Sequence, residues 1–104
     1  MAYKLRIMEK AEADISEIVA YISKTLANPK AADSLLEDFL AEAKNISENP
    51  YMYPLSNDPH LQAEGYHRFL FKRNYVALYL IDDESGIVSI MRIFYAKRDY
   101  GNLL

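Results

Sequence analysis

The sequence has no cysteine, only three glycines among 104 residues, and just two histidines. The first absence removes disulfides, thiol catalysis and thiolate-held metals. Neither His60 nor His67 has a carboxylate cluster at metal-ligand spacing, so no metal and no other cofactor is expected. With Gly65, Gly86 and Gly101 as the only glycines, there is no phosphate-cradling loop, and no nucleophile or paired-carboxylate motif stands in its place. No run approaches the roughly 20 apolar residues of a membrane span. The opening "MAYKLRIMEKAEAD" turns charged too soon for a signal peptide, so a cytoplasmic location with no membrane partner is the expectation.

What is present suits one compact domain over residues 1–104, with 51% of the chain apolar. The formal charge is −3 but unevenly spread. Acids outnumber bases over residues 1–57 and match them over 58–104, where Asp82, Asp83 and Glu84 crowd into one turn and leave the rest of that half locally basic. A general nucleic-acid binder is usually basic throughout, so any polyanion contact has to come from a local patch.

The pattern of apolar residues gives the order of elements. "YKLRIM" alternates with the period of a half-buried strand. From about Glu9 the period becomes helical, with Ile15, Ile18, Val19, Ile22 and Leu26 on one stripe. Asn28 stops that helix and caps the next, with Pro29 in the favoured first turn. The second stripe is Ala32, Leu35, Leu36, Phe39, Leu40, Ala43 and Ile46, ending before "ENP". "NPYMYPLSNDP" reads as a loop. Three strands follow, "YHRFLFKR", "YVALYLI" and "IVSIMRIFY", the last two joined by the turn "DDESG", and their short connections call for an antiparallel meander. The fold class is α+β: an N-terminal strand, an antiparallel helical hairpin and a three-stranded sheet whose one face the hairpin covers.

Several residues are candidates for chemistry. Strict alternation puts Arg92 on one face with Val88, Ile90 and Phe94, and Met91, Ile93 and Tyr95 on the other. A cation there either pairs with a carboxylate or snorkels to the sheet edge, or else lines a groove with Arg98. Arg68 and Lys72, two alternations apart, are candidates for the same surface, where guanidinium groups suit phosphate or carboxylate. Tyr95 and Tyr100 flank the basic run containing Lys97 and Arg98. Tyr75 and Tyr79 read as strand formers with a polar tip, His67 as a packing or surface residue, and Asp99 as a partner for Arg98.

The segments "NYVALYLIDD" and "IVSIMRIFYAKRDYGNLL" resemble the RelE/ParE superfamily of bacterial toxins from type II toxin–antitoxin modules. Many members carry an Arg-Ile strand, a later Arg-Asp pair and a short leucine tail, matched here by Arg92, Ile93, Arg98 and Asp99. The resemblance spans essentially the whole chain and implies a toxin held inactive by a cognate antitoxin, reaching operator DNA only through it. It offers two targets. A RelE-like ribosome-dependent mRNA endonuclease would use Arg98 for the phosphate, Tyr100 as acid or base, and Arg68 beside them. A ParE-like toxin would inhibit DNA gyrase without hydrolysis. In either case Arg68, Lys72, Arg92, Tyr95, Lys97 and Arg98 are the residues expected to bind target or antitoxin. A third alternative is a non-toxic module that retains only antitoxin binding.

The resemblance also supplies points of departure. Tyr75 stands where many of the nucleases have an arginine, the late His-Tyr pair of one nuclease group is missing, and no lysine-rich stretch precedes the second strand. A net charge of −3 suits work within ribosomal RNA poorly, because phosphate contacts supply most of such affinity. The ParE-like reading is therefore favoured.

Overall fold

The structure is a computed structural model that describes residues 2–97. Four strands form one mixed sheet in the order β1-β4-β3-β2: β1 Lys4–Ile7, β2 His67–Phe71, β3 Tyr75–Asp82 and β4 Ile87–Tyr95. The expected meander is there, with β2, β3 and β4 antiparallel, while β1 returns beside β4 in parallel. Both β3 and β4 are therefore central. They carry the longest apolar runs because each has a strand on either side.

Helices α1, Glu9–Ala20, and α2, Pro29–Glu48, cover one face of the sheet. Their buried residues Ala11, Ile15, Ala32, Leu35, Phe39, Ala43 and Ile46 follow helical spacing and meet Phe69, Phe71, Tyr79 and Val88. Phe39 sits at the centre, its ring 5.4 Å from Phe71 and 6.2 Å from Phe69. Leu26 and Leu40, expected on these stripes, are exposed instead. Asn28 caps α2 as its side chain accepts from Ala31 N–H at 3.1 Å, with Pro29 in the first turn.

The expected helical hairpin is there, but its connection is not a plain turn. Tyr21–Thr25 widens into a π turn, closed by a bond from Leu26 N–H to the Tyr21 carbonyl at 3.0 Å. Ala27 then takes a left-handed φ of 51°, and Asn28 N–H reaches back to the Ile22 carbonyl at 3.1 Å. The wider turn places Tyr21 and Leu26 at the surface.

The expected proline-rich loop also contains a 3₁₀ turn at Pro50–Met52 and a short helix α3, Pro59–Ala63. Asp58 caps α3 by accepting from His60 N–H and Leu61 N–H, at 2.9 and 3.1 Å. The expected strand "YHRFLFKR" stops at Phe71, because Lys72 and Arg73 turn the chain with φ of 50° and 63°. Two successive residues in the left-handed region put Lys72 in a hairpin turn, off the face that carries Arg68.

Tyrosine hydroxyls tie the loops to the sheet. Tyr3 donates to Asp83 at 2.6 Å, Tyr51 donates to the other oxygen of Asp83, and Tyr53 donates to Glu42. The bonds to Asp83 and Glu42 push the Tyr51 and Tyr53 phenols up to about 12. Tyr79 is fully buried, donates to the Pro50 carbonyl at 2.8 Å, and is raised mainly by burial. These phenols are raised above their ordinary value near 10, so their stabilisation is complete below about pH 10 and is lost as pH climbs through about 12. An alkaline titration followed by tyrosinate absorbance is expected to show exposed phenols ionising first. The fold is then lost with a second, steeper rise; a single transition near the ordinary tyrosine value contradicts the network.

Candidate functional site

The residue that organises the site is one that sequence reasoning passed over. The β1 strand pairs with β4 only through Ile87–Ile90, and beyond it the edge of β4 has no strand neighbour. Helix α1 crosses there, and the Asp14 carboxylate fills the gap. One oxygen accepts from Ile93 N–H at 2.9 Å and from Arg92 Nε at 2.7 Å, while the other accepts from Arg92 Nη2 at 3.1 Å. That carboxylate replaces the missing strand as an acceptor and holds the guanidinium in a planar fork. The pair is largely covered, with side-chain exposures of 20% for Arg92 and 14% for Asp14. The bond to Asp14 raises the Arg92 pKa, and the guanidinium also lies 4.6 Å over the Phe94 ring.

A bulge permits this arrangement. Leu78 lies opposite Arg92, but the next residue, Tyr79, lies opposite Ile90, so Met91 is the extra residue in β4. Strict alternation is broken there: Val88, Ile90 and Ile93 all pack in the helix-side core, whereas Phe94 joins Leu61, Val76 and Leu78 in a second cluster. The expected grouping of Arg92 with Val88 and Ile90 is thereby corrected, and its pairing with a carboxylate is the alternative observed.

Beside this pair an open groove runs between the helices and the ends of β3 and β4. One part, about 460 Å³, is lined chiefly by Ile22, Leu26, Ala31, Leu35, Lys72 and Tyr75. A second, about 600 Å³, is lined by Glu17, Ile18, Tyr21, Tyr75 and Tyr95. A third, about 380 Å³ and more polar, extends to Asp14 and Arg92. Tyr75 borders all three. Burial, then the nearby Tyr95 and Tyr21 hydroxyls, raise its pKa.

The chain's match to a family model covers residues 5–100 and is to the ParE toxin of the parDE type II toxin–antitoxin system. The chain belongs to the ParE toxin family. Its fold is similar to solved structures of related toxins. A chromosomal ParDE system from P. aeruginosa matches with a TM-score of 0.71 at 20% identity, over 90% of this chain and 96% of that one. E. coli RelE in the free state matches at 0.62 and 19% identity, covering 93% and 86%. The RelBE2 toxin–antitoxin complex of Mycobacterium tuberculosis matches at 0.60 and 23% identity, covering 91% and 99%. No curated protein sequence is similar enough to count as a match.

Within this ParE-family fold the predicted site residues separate. Arg68 and Arg92 both stand opposite Leu78, in one cross-strand row two strands apart, about 10 Å between backbones. Arg68 Nε is buried without a hydrogen bond among the described residues, whereas Arg92 is drawn to α1. Lys72 leaves that row for the groove rim and lies 3.7 Å from Asp38, a surface pair. Tyr95 lines the groove, and Lys97 lies exposed just past β4. Arg98, Asp99 and Tyr100 lie outside the described residues. His67 is half-buried, its Nδ1 2.9 Å from the Tyr53 carbonyl and its ring stacked 5.4 Å from Tyr79, in keeping with a packing role.

Asp14, Glu17, Tyr21 and Tyr75 are the site residues that periodicity missed. Asp14 and Glu17 look like ordinary helix-surface acids, and only the short β1 makes Asp14 an edge acceptor. Replacing Asp14 by alanine strands Ile93 N–H and a half-buried guanidinium, with an expected loss of about 2–4 kcal/mol in urea unfolding. Asp14→Asn, which keeps an acceptor for Ile93, is expected to lose about half as much. Equal losses in the two variants would show that the backbone bond contributes nothing.

Proposed function

We propose that the chain is a cytoplasmic, single-domain growth-inhibiting toxin that acts on a protein target, DNA gyrase, without cleaving RNA, and that a cognate antitoxin holds it inactive by occupying the groove. The observation that carries this reading is the fork between Arg92 and Asp14. A guanidinium already satisfied by a carboxylate, and feeling Glu17 as well, offers little to a phosphate in transition. The net charge of −3 weakens a polyanion contact further. The ParE family model supports the same side, and solved relatives described as ParDE and RelBE toxin–antitoxin assemblies support an antitoxin partner.

One observation favours the nuclease alternative. Arg68 shares a cross-strand row with Arg92 and keeps a buried Nε unbonded among the described residues, an arrangement suited to receiving an anion. In that reading Arg98 and Tyr100 would join Arg68 in cutting messages on the ribosome. Two assays separate the readings. Purified gyrase is expected to lose supercoiling activity in the presence of the chain, while messages mapped by primer extension after induction stay intact. Full supercoiling together with new message ends phased to codons, abolished by Arg68→Ala, would reverse the assignment. Harmless induction with tight antitoxin binding would leave only the binding module.

A further inference from the structure

Three tyrosines from three elements meet in the middle of the groove. Tyr21 comes from the π turn, Tyr75 from the start of β3 and Tyr95 from the end of β4, and with Glu17 and Ile18 they line one cavity of about 600 Å³. The Tyr75 and Tyr95 rings meet edge-on, at 74° with centroids 5.9 Å apart, so their π faces point in different directions around a shared space. Tyr21 is 54% exposed and Tyr95 44%, which leaves aromatic surface open to a ligand. Glu17 makes no direct ion pair among the described residues, although its charge reaches Arg92, whereas Asp14 beside it is bonded to that guanidinium.

Aromatic faces present negative potential, and a carboxylate at the rim adds a full charge, so the chemistry of this cavity selects a cation. A planar guanidinium suits it better than an ammonium, because it can stack on one ring while donating to the carboxylate. A nucleotide would also find rings to stack on, but its phosphate would face Glu17. We propose that Tyr21, Tyr75, Tyr95 and Glu17 form a cage for an arginine side chain presented by a partner protein. The adjoining cleft of Ile22, Leu26 and Leu35 receives an apolar residue next to that arginine. The inference rests on the reading that the groove receives a protein partner.

The test uses the isotope-labelled full chain and single amino-acid amides, so its outcome does not depend on which target the toxin has. N-acetyl-arginine amide is titrated while the tyrosine ring signals are followed by NMR, with N-acetyl-norleucine amide and adenosine monophosphate as comparators. Saturable shifts at Tyr21, Tyr75 and Tyr95, at least fivefold tighter for the arginine probe than for norleucine, are expected. Affinity should fall at least threefold in Glu17→Gln and in Tyr21→Leu, both exposed positions whose folding is checked by thermal melts. Equal shifts from the arginine and norleucine probes, stronger shifts from adenosine monophosphate, or unchanged arginine affinity in Glu17→Gln would overturn the cage. None of these outcomes bears on gyrase inhibition.

Discussion

A strand nine residues long beside a strand of four leaves an edge that something else has to satisfy, and most of what distinguishes this molecule follows from the answer. Unpaired backbone donors at a sheet edge are costly when covered and an invitation to unwanted pairing when not. Here α1 lies across the gap, and Asp14 accepts from Ile93 N–H as a fifth strand would. The carboxylate then has capacity left for Arg92, which completes its coordination and neutralises it. The bulge at Met91 turns Arg92 towards the helix while keeping Ile93 in the core.

That one contact links fold to function by two routes. It ties up the Arg92 guanidinium, which is the premise of the proposed protein-directed reading. It also anchors α1 against the far half of β4, so that the turn following α1 opens over Tyr75 and Tyr95 and leaves the groove unfilled. In the proposed reading a partner covers the groove, whose rim exposes tyrosine and leucine. Electrostatics then sort its two ends: Lys72 stands at one, and Glu17 beside the Asp14–Arg92 pair at the other.

The architecture was legible because the apolar periods are clear. The shift from alternation to a helical stripe at Glu9, the Asn28–Pro29 boundary and the three closing strands each follow from local physics and reappear in the structure. The α3 helix was legible too, since Asp58–Pro59 repeats the capping pattern of Asn28–Pro29, but a proline-rich loop reading concealed it. The π turn and the Met91 bulge were not legible, because each inserts one residue into a regular period and no residue type announces the insertion. The site suffered most from this. Tyr75 reads as a plain strand former until the groove is seen on its flank, and the sequence leaves Arg92 between pairing with a carboxylate and lining a groove until Asp14, 78 positions earlier, is brought to it.

A double-mutant cycle on Asp14→Ala and Arg92→Ala, read by urea unfolding, tests most directly whether this pair governs the site. The account predicts that the double variant loses less than the two single losses added together, with a coupling of about 1.5–3 kcal/mol, because each single variant leaves the other group half-buried and unmatched. Losses that add to within about 0.5 kcal/mol would contradict it, leaving Arg92 an independent cation and returning it to the candidates for phosphate binding.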